Sequence, residues 1–275
     1  MKTILLATDY SAEANNALRY AIKLAEFSKA KLVLFHAYHM PVPVTDVPAV
    51  IPVAVDDLQR ENEAAMKKIE DKVVKLSNGK IKVESRVGFG MPVEEILNTI
   101  KKVKADLVLL GMKGAGKLAE TIIGSTATSL MQKTKVPVLV VPAKSKFHAN
   151  HKIVLAYDYQ KTIGKNILQI IIDFARLFRA EVEVVHVVKL DEEPHPSTAD
   201  KMVKLRAALR GIKHHFYFPV SENITDELNA FVKRQKAGIL VMLPHKHAML
   251  EKIFNKGSTR RMAFHTNVPL LSLHD

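Results

Sequence analysis

Short apolar runs alternate with longer amphipathic stretches along the whole chain. In the first half, the continuous Val-, Ile- and Leu-rich runs predict strands at residues 2–7, 31–37, 81–87, 106–110 and 137–141. Segments with a period near 3.6 predict helices near residues 12–28, 58–77, 92–104 and 125–133. Strands that are apolar throughout are covered on both faces, so the pattern predicts parallel strands flanked by helices.

The second half repeats this order. Three segments of the first half, 2–10, 30–36 and 135–141, align with 152–159, 180–186 and 267–273. Apolar runs again predict strands, at residues 152–157, 182–187, 213–218, 238–243 and 268–272. A period of about 150 residues indicates a duplicated domain rather than a solenoid. We therefore predict an α/β protein with two tandem Rossmann-like open parallel five-stranded sheets flanked by helices, one in residues 1–146 and one in residues 147–275.

Composition narrows the class of protein. Hydrophobic residues make up 48% and charged residues 25% of the chain, as in soluble globular proteins. No apolar run approaches the roughly 18 residues that read as a transmembrane helix, and Asp9 interrupts the first run too early for a signal peptide. The chain has no cysteine, which excludes disulfides and thiolate metal sites. We expect a cytoplasmic protein without a membrane partner.

The net charge of +13 raises the question of nucleic-acid binding. The charge is spread evenly, however: residues 1–146 contain 22 Lys and Arg against 15 Asp and Glu, and residues 147–275 contain 19 against 13. Aromatic residues are only 6% of the chain, and no RNA-binding or helix-turn-helix pattern is present. We predict no nucleic-acid partner, although the positive charge favours anionic ligands such as nucleotides.

A glycine-rich stretch follows the predicted strand at 106–110. Its spacing is Gly-x2-Gly-x9-Gly-Ser, from Gly111 through Gly114 to Gly124 and Ser125. Glycines after a strand let the backbone approach a ligand closely, and Gly-Ser-Thr at 124–126 opens a predicted helix. A helix N-terminus offers backbone N–H donors and a partial positive charge to phosphate. The stretch therefore predicts a nucleotide-phosphate site.

Two other interpretations of this stretch stay open. Gly111-x4-Gly116-Lys117 matches a P-loop except that Leu118 stands where Ser or Thr holds magnesium, and that reading leaves Gly124 and Ser125 without a role. A loop whose glycines serve only to make turns is the second alternative.

Two further segments end at the same predicted sheet edge. Ala7, Thr8 and Asp9 follow the first strand, and His36 and Ala37 end the second. In open parallel sheets, ligands bind outside the carboxyl ends of the strands, where the strand order reverses. The three segments are therefore expected to converge on one crevice. For Asp9, a role as N-cap of the helix that begins near Ser11 is an alternative.

These motifs, together with the closing strand at 136–141, resemble the universal stress protein family in its tandem two-domain form. The resemblance implies a cytoplasmic ATP-binding protein that acts as a regulator or sensor in stress or starvation, with Mg²⁺ bridging the phosphates. It also implies binding residues: Ala7, Thr8, Asp9 and Ala37 for adenine and ribose, and Gly111, Met112, Gly114, Gly124, Ser125 and Thr126 for ribose and phosphates.

The second half keeps the spacing of the motif but loses its glycines. Pro244 and His247 stand where Gly111 and Gly114 stand in the first half, while Gly257 and Ser258 are kept. Proline removes an N–H donor and fixes φ, so we predict one ATP site, in the first domain. The histidines of this half do not have a strong metal-ligand spacing, and we predict no metal site there; they are His214, His215, His245 and His247.

Two alternatives to a sensor remain. One is a nucleotide-using enzyme, a slow ATPase or an adenylyl transferase, in which Lys113 and Lys117 help at the phosphates; the other is a nucleotide-free interaction module. The last strands of both halves are apolar and need cover at the sheet edge. The resemblance implies that these strands pair, which makes the two halves an internal pseudo-dimer, with a homodimer as a further possibility. Residues 40–57, rich in Pro and Val, predict a surface loop or a flap over the ligand.

Overall fold

The computed structural model describes residues 1–39, 55–114, 121–149, 152–159, 162–190, 197–243 and 268–274. The chain divides into two compact units, Met1–Gly111 and Met112–Asp275. Most of the predicted flap, residues 40–54, lies outside the described residues. None of the helices in the described ranges combines the length and the apolar character that a bilayer crossing needs.

The first unit is a parallel sheet with three helices. Its elements are β1 (Thr3–Ala7), α1 (Ala12–Ser28), β2 (Lys31–Tyr38), α2 (Val55–Leu76), β3 (Val83–Phe89), α3 (Pro92–Val103) and β4 (Leu107–Gly111). The strands lie in the order β4-β1-β2-β3, and every neighbouring pair is parallel. The helices pack on these strands, and β1, β2 and β4 form the buried centre. The order reverses between β1 and β4, which places a crevice at their carboxyl ends.

Local sequence explains where the helices of this unit begin. The side chain of Ser11 accepts a hydrogen bond from the backbone N–H of Ala14 and thereby caps α1. Before α3, Gly90 has φ +143°, a conformation that favours glycine, and Pro92 occupies the first turn, where its missing N–H is not needed. These residues fix the two loops that lead from strand to helix.

The second unit contains a longer sheet. Its elements are β5 (Lys113–Gly114), β6 (Thr121–Ile122), α4 (Ser125–Lys133), β7 (Val138–Val141), β8 (Lys152–Ala156), α5 (Lys165–Phe178), β9 (Val182–Val185), α6 (Thr198–Ala208), β10 (His214–Tyr217), α7 (Ile224–Arg234), β11 (Ala237–Met242) and β12 (Leu270–Ser272). The strand order is β10-β9-β8-β11-β12-β7. The first five of these strands are parallel, and they are the five strands predicted for the second repeat.

The last pair in this sheet joins the two sequence repeats. β12 and β7 run antiparallel, with Leu270 opposite Val140 and Ser272 opposite Val138. β7 belongs to the first repeat by sequence, but this pairing groups it with the second compact unit. The two closing strands therefore cover each other, as the pseudo-dimer prediction requires, while the repeat boundary at 146/147 stays a prediction.

The α/β fold predicted from the apolar runs is confirmed. The predicted helices at 12–28, 92–104 and 125–133 appear as α1, α3 and α4 with nearly the same bounds. The antiparallel ribbon of β5 and β6, in which Lys113 pairs with Ile122, was not predicted. Strands of two residues have no periodicity that a sequence pattern can reveal.

The duplication also appears in the backbone. Three pairs of non-glycine residues adopt left-handed φ angles at corresponding places of the two repeats, a conformation that is uncommon for such residues. The pairs are Tyr10 with Tyr159, Lys29 with Arg179, and Lys104 with Lys236. The repeats therefore share turn geometry as well as strand order.

Substitution of Ser11 by Ala is expected to lower the free energy of unfolding of the first unit by about 1 kcal/mol, because the N–H of Ala14 loses its acceptor. The measurement is the urea midpoint at an unchanged m-value. Ser28→Ala is the matched control: the Ser28 hydroxyl donates to the carbonyl of Leu24 within the same helix and caps no N–H. Equal losses in both variants would contradict the capping role.

Candidate nucleotide site

In the first unit, the predicted residues lie at the carboxyl ends of β1, β2 and β4. β1 pairs with β4 in a register that sets Leu6 opposite Leu109. Continuing this register brings Thr8 beside Gly111 at the edge where the order reverses. Ala7, Thr8, Asp9, Ala37 and Gly111 therefore gather at one sheet edge.

Hydrogen bonds to side chains order the loop after β1. The Thr8 hydroxyl accepts from the backbone N–H of Tyr10 at 3.2 Å, and Asp9 Oδ1 accepts from the N–H of Ser11 at 3.1 Å. The N-cap of α1 is Ser11 rather than Asp9, so the capping alternative for Asp9 is wrong. The exposed Asp9 carboxylate is held at the loop by its bond to Ser11.

His36 ties the end of β2 to this loop. Its Nδ1 lies 2.8 Å from the carbonyl oxygen of Thr8, and because a carbonyl only accepts, Nδ1 carries the proton. The ring of Tyr10 packs on the imidazole with centroids 4.1 Å apart, and burial raises the pKa of Tyr10 to about 12. Tyr10 keeps a left-handed φ of 63°. The loop is thus fixed by a hydrogen bond and by ring packing.

The second group of predicted residues lies in the second unit. Met112 is buried, and its N–H donates to the carbonyl of Val141 at 2.9 Å. Gly114 pairs with Thr121 in the β5–β6 ribbon. Residues 115–120, which include Gly116, Lys117 and Leu118, lie outside the described residues. A P-loop helix that starts at the lysine cannot run beyond residue 120, because a strand follows and α4 begins only at Ser125.

The N-terminus of α4 has the features of an anion-binding site. Gly124 is its N-cap, with φ −67° and ψ 157°, and no side chain of the described residues caps the helix. Any residue adopts this extended conformation, so a turn requirement does not account for glycine here. Within the part of the chain that the structure describes, the first-turn N–H groups therefore have no capping side chain, and exposed Ser125 and half-buried Thr126 lie beside them.

A comparison with protein families decides the identity of this fold. The model of the Universal stress protein family matches residues 1–142, more than half of the chain. The chain belongs to the universal stress protein family.

Curated relatives each match about half of the chain. A universal stress protein of Thermus aquaticus is 33% identical over 140 residues, which are 51% of this chain and 98% of the relative. Universal stress protein MJ0577 of Methanocaldococcus jannaschii is 28% identical over 158 residues, covering 52% and 96% of the two chains. A solved universal stress protein of Archaeoglobus fulgidus covers 99% of this chain, and this chain covers 98% of it, with a TM-score of 0.75 and 18% identity. That structure therefore shares the two-repeat fold.

The second repeat of this universal stress protein is described in part. The residues that replace the glycines, Pro244 and His247, lie outside the described residues, as do His245, Gly257 and Ser258. The prediction of a degenerate second site therefore stays a prediction.

A cluster of charged groups on β8, β9 and β10 was not predicted from the sequence. Glu183 is fully buried and lies 2.7 Å from the Lys152 ammonium and 3.2 Å from His215 Nδ1. Glu181 lies 2.6 Å from the ammonium of Lys213. Its atoms and those of Glu183 and His215 are close enough to share a metal ion. Two ammonium groups already compensate the carboxylates, so the cluster has the character of an ion-pair network.

Sequence reasoning also missed the positioning role of His36. A histidine at the end of β2 gives no sign of the carbonyl that it will contact. The signal that was available is its recurrence: His186 stands at the same place in the second repeat, with Nδ1 3.2 Å from the carbonyl of Tyr157. The loop-fixing contact is therefore a feature of both repeats.

Proposed function

We propose that this universal stress protein binds ATP with Mg²⁺ at one site in the first repeat and acts as a cytoplasmic stress-response regulator or sensor. The observation that carries the proposal is the N-terminus of α4, which is capped by a glycine that its backbone conformation does not require. Family membership and the ordered loop after β1 support the same assignment.

The adenosine end of the nucleotide is assigned to the first unit. The Asp9 carboxylate accepts hydrogen bonds from ribose hydroxyls or from an exocyclic amine, as carboxylates do in other open-sheet nucleotide sites. Backbone groups at Ala7, Thr8, Ala37 and Gly111 border the same edge. Because the loop is already ordered by side-chain bonds, little conformational freedom is lost when a ligand binds.

The phosphate end is assigned to residues of the second unit. Backbone N–H groups at the start of α4 and the hydroxyls of Ser125 and Thr126 donate to phosphate oxygens. Met112 and Gly114 border the ribose and phosphates in this proposal. Mg²⁺, when bound, neutralises phosphate charge, and hydroxyl oxygens are ligands of the kind it accepts.

The bound nucleotide is proposed to bias a conformation or an assembly rather than to be consumed. A ligand shifts such an equilibrium by its different affinity for the two states. The enzyme alternative requires turnover, and a rate above about 1 per second with Mg²⁺, typical of kinases, would favour it.

The experiment that tests the proposal is identification of nucleotide in natively purified protein. Acid extraction followed by mass spectrometry is expected to release about one ATP per chain. A protein that yields no nucleotide and takes up none from added Mg-ATP would contradict the proposal and favour the interaction module.

Substitution of His36 by Phe is expected to weaken nucleotide binding about fivefold, because the phenyl ring preserves the packing on Tyr10 but donates no proton to the Thr8 carbonyl. Isothermal titration with Mg-ATP measures the change. His186→Phe removes the corresponding bond in the second repeat and is expected to leave the affinity unchanged. If the His186 variant loses as much affinity as the His36 variant, the assignment of the site to the first repeat is wrong.

A further inference from the structure

The two repeats have the same backbone arrangement where their first two strands end. The N–H of Thr8 donates to the carbonyl of Phe35 at 2.9 Å, and the N–H of Tyr157 donates to that of Val185 at 3.0 Å. In each repeat a histidine Nδ1 contacts the carbonyl of the first strand-end residue. The edge that is proposed to hold adenosine in the first repeat therefore has a backbone counterpart in the second.

Register extends this correspondence to a third strand. In the first repeat His36 lies opposite Val87 of β3. In the second, Val185 lies opposite Tyr217 of β10, so the next residues, His186 and Phe218, stand in the same relation. The corresponding positions are Thr8 and Tyr157, Tyr10 and Tyr159, His36 and His186, and Val87 and Phe218.

At two of these positions the side chain is larger in the second repeat than in the first. Thr8 and Val87 are small and half-buried, whereas their counterparts Tyr157 and Phe218 are aromatic. Tyr157 is 3% exposed, and its ring centroid lies 4.3 Å from that of Tyr159. Tyr159 in turn stacks on Phe218, with centroids 6.1 Å apart and planes 23° from parallel. Three rings therefore follow one another at these positions, of which Phe218 is the most exposed at 43%, whereas Tyr10 is the one tyrosine or phenylalanine at the corresponding positions of the first repeat.

Tyr159 does not have the properties of an ordinary core tyrosine. It is 1% exposed, and its hydroxyl has no hydrogen-bond partner among the described residues. Buried hydroxyls normally have one, so this hydroxyl is unusual for a buried tyrosine. Its backbone carbonyl, by contrast, accepts from the Lys201 ammonium at 2.6 Å. The backbone is held in place while the side chain fills space.

We propose that the rings of Tyr157, Tyr159 and Phe218 close a second base-binding crevice, and that giving the second repeat the small side chains of the first opens it to a purine ring. The proposal rests on the proposed adenosine site of the first repeat. In the second repeat, the aromatic side chains take the position that the base has in the first repeat, since aromatic rings and bases both stack on aromatic neighbours. This closure is independent of the glycines lost at 244 and 247.

The ligand for the test is adenosine, because it needs the strand-end crevice and does not depend on phosphate contacts. Equilibrium dialysis or isothermal titration of the full chain gives the number of adenosines bound. The wild type is expected to bind one, and the Tyr157→Thr/Phe218→Val variant two. The reciprocal variant, Thr8→Tyr/Val87→Phe, is expected to bind none, since it closes the first crevice in the same way.

The counts separate the two proposals. One adenosine in both the wild type and the opened variant overturns the closure, as does a wild type that binds two. A wild type that binds no adenosine overturns the site in the first repeat. If the opened variant then binds one adenosine, the closure of the second crevice is supported. If the opened variant also binds none, both proposals fail. If the opened double variant does not fold, the reciprocal variant decides, because a retained adenosine there overturns the closure.

Discussion

Gly124→Asp is expected to weaken Mg-ATP binding about 100-fold or more while leaving α4 as stable as before or more so. Aspartate is a favourable N-cap, so the helix gains an acceptor for its first-turn N–H groups. The same carboxylate occupies the proposed phosphate position, and one like-charge contact at 4 Å is unfavourable by about 4 kcal/mol at an effective dielectric constant of 20. Solvent screening lowers this figure, and about 2.7 kcal/mol already corresponds to 100-fold. Titration calorimetry and thermal unfolding measure the two effects.

Two further variants test whether negative charge at the N-terminus of α4 causes the weaker binding of Mg-ATP. Gly124→Asn caps the helix without a charge, so it is expected to bind more tightly than the Asp variant although more weakly than the wild type. Gly257→Asp changes the corresponding residue of the second repeat, and its affinity is expected to stay at the wild-type value. Were Gly124→Asp and Gly257→Asp each to remove half of the bound nucleotide, the single-site proposal would be wrong.

Lys152→Met is expected to lower the free energy of unfolding of the second unit by about 2–3 kcal/mol. It removes the ammonium that lies 2.7 Å from the fully buried carboxylate of Glu183. Breaking a buried pair typically costs about 3–5 kcal/mol, and the value here is lower because the Lys152 side chain is 35% exposed and His215 still contacts the carboxylate. Hydrogen bonding to Glu183 raises the pKa of Lys152, as such a pair requires. Urea unfolding measures the loss.

The matched control is Lys213→Met, which removes a lysine from the neighbouring Glu181. That lysine is 67% exposed, so its loss is expected to change the stability by no more than about 1 kcal/mol. The double variant Lys152→Met/Glu183→Gln is expected to recover most of the loss, because no unpaired buried charge remains. A double variant as unstable as Lys152→Met would contradict the unpaired buried charge as the cause of the loss.

Sequence predicted the elements whose signal is local. β1, β2 and β4 each contain a continuous apolar run, and α1 begins after Ser11, whose hydroxyl is a preferred cap. The start of α4 after Gly124 was likewise predicted from local sequence, the Gly-Ser-Thr at 124–126. Contacts between distant segments were not predictable: the bond from His36 to the Thr8 carbonyl, and the pairing of Glu183 with Lys152, depend on which strands become neighbours.

The case of Asp9 shows the limit of a local rule. Asp and Ser are both good caps, and the sequence offers Asp9 and Ser11 within three residues of each other. In the structure Ser11 is the cap: its hydroxyl accepts from the N–H of Ala14, whereas Asp9, two residues earlier, accepts from the N–H of Ser11. Tyr10, which stands between them, has a left-handed φ of 63°, and no composition rule predicts that turn.

The antiparallel pairing of β12 with β7 has a consequence for synthesis on the ribosome. Val140 emerges long before its partner Leu270, so the edge of β7 stays uncovered while the whole second repeat is translated. An uncovered apolar edge pairs with any strand that reaches it, including β12 of another chain growing on the same messenger RNA. Exchange of that strand joins two chains by the contact that otherwise closes one, which is the geometry of a domain swap.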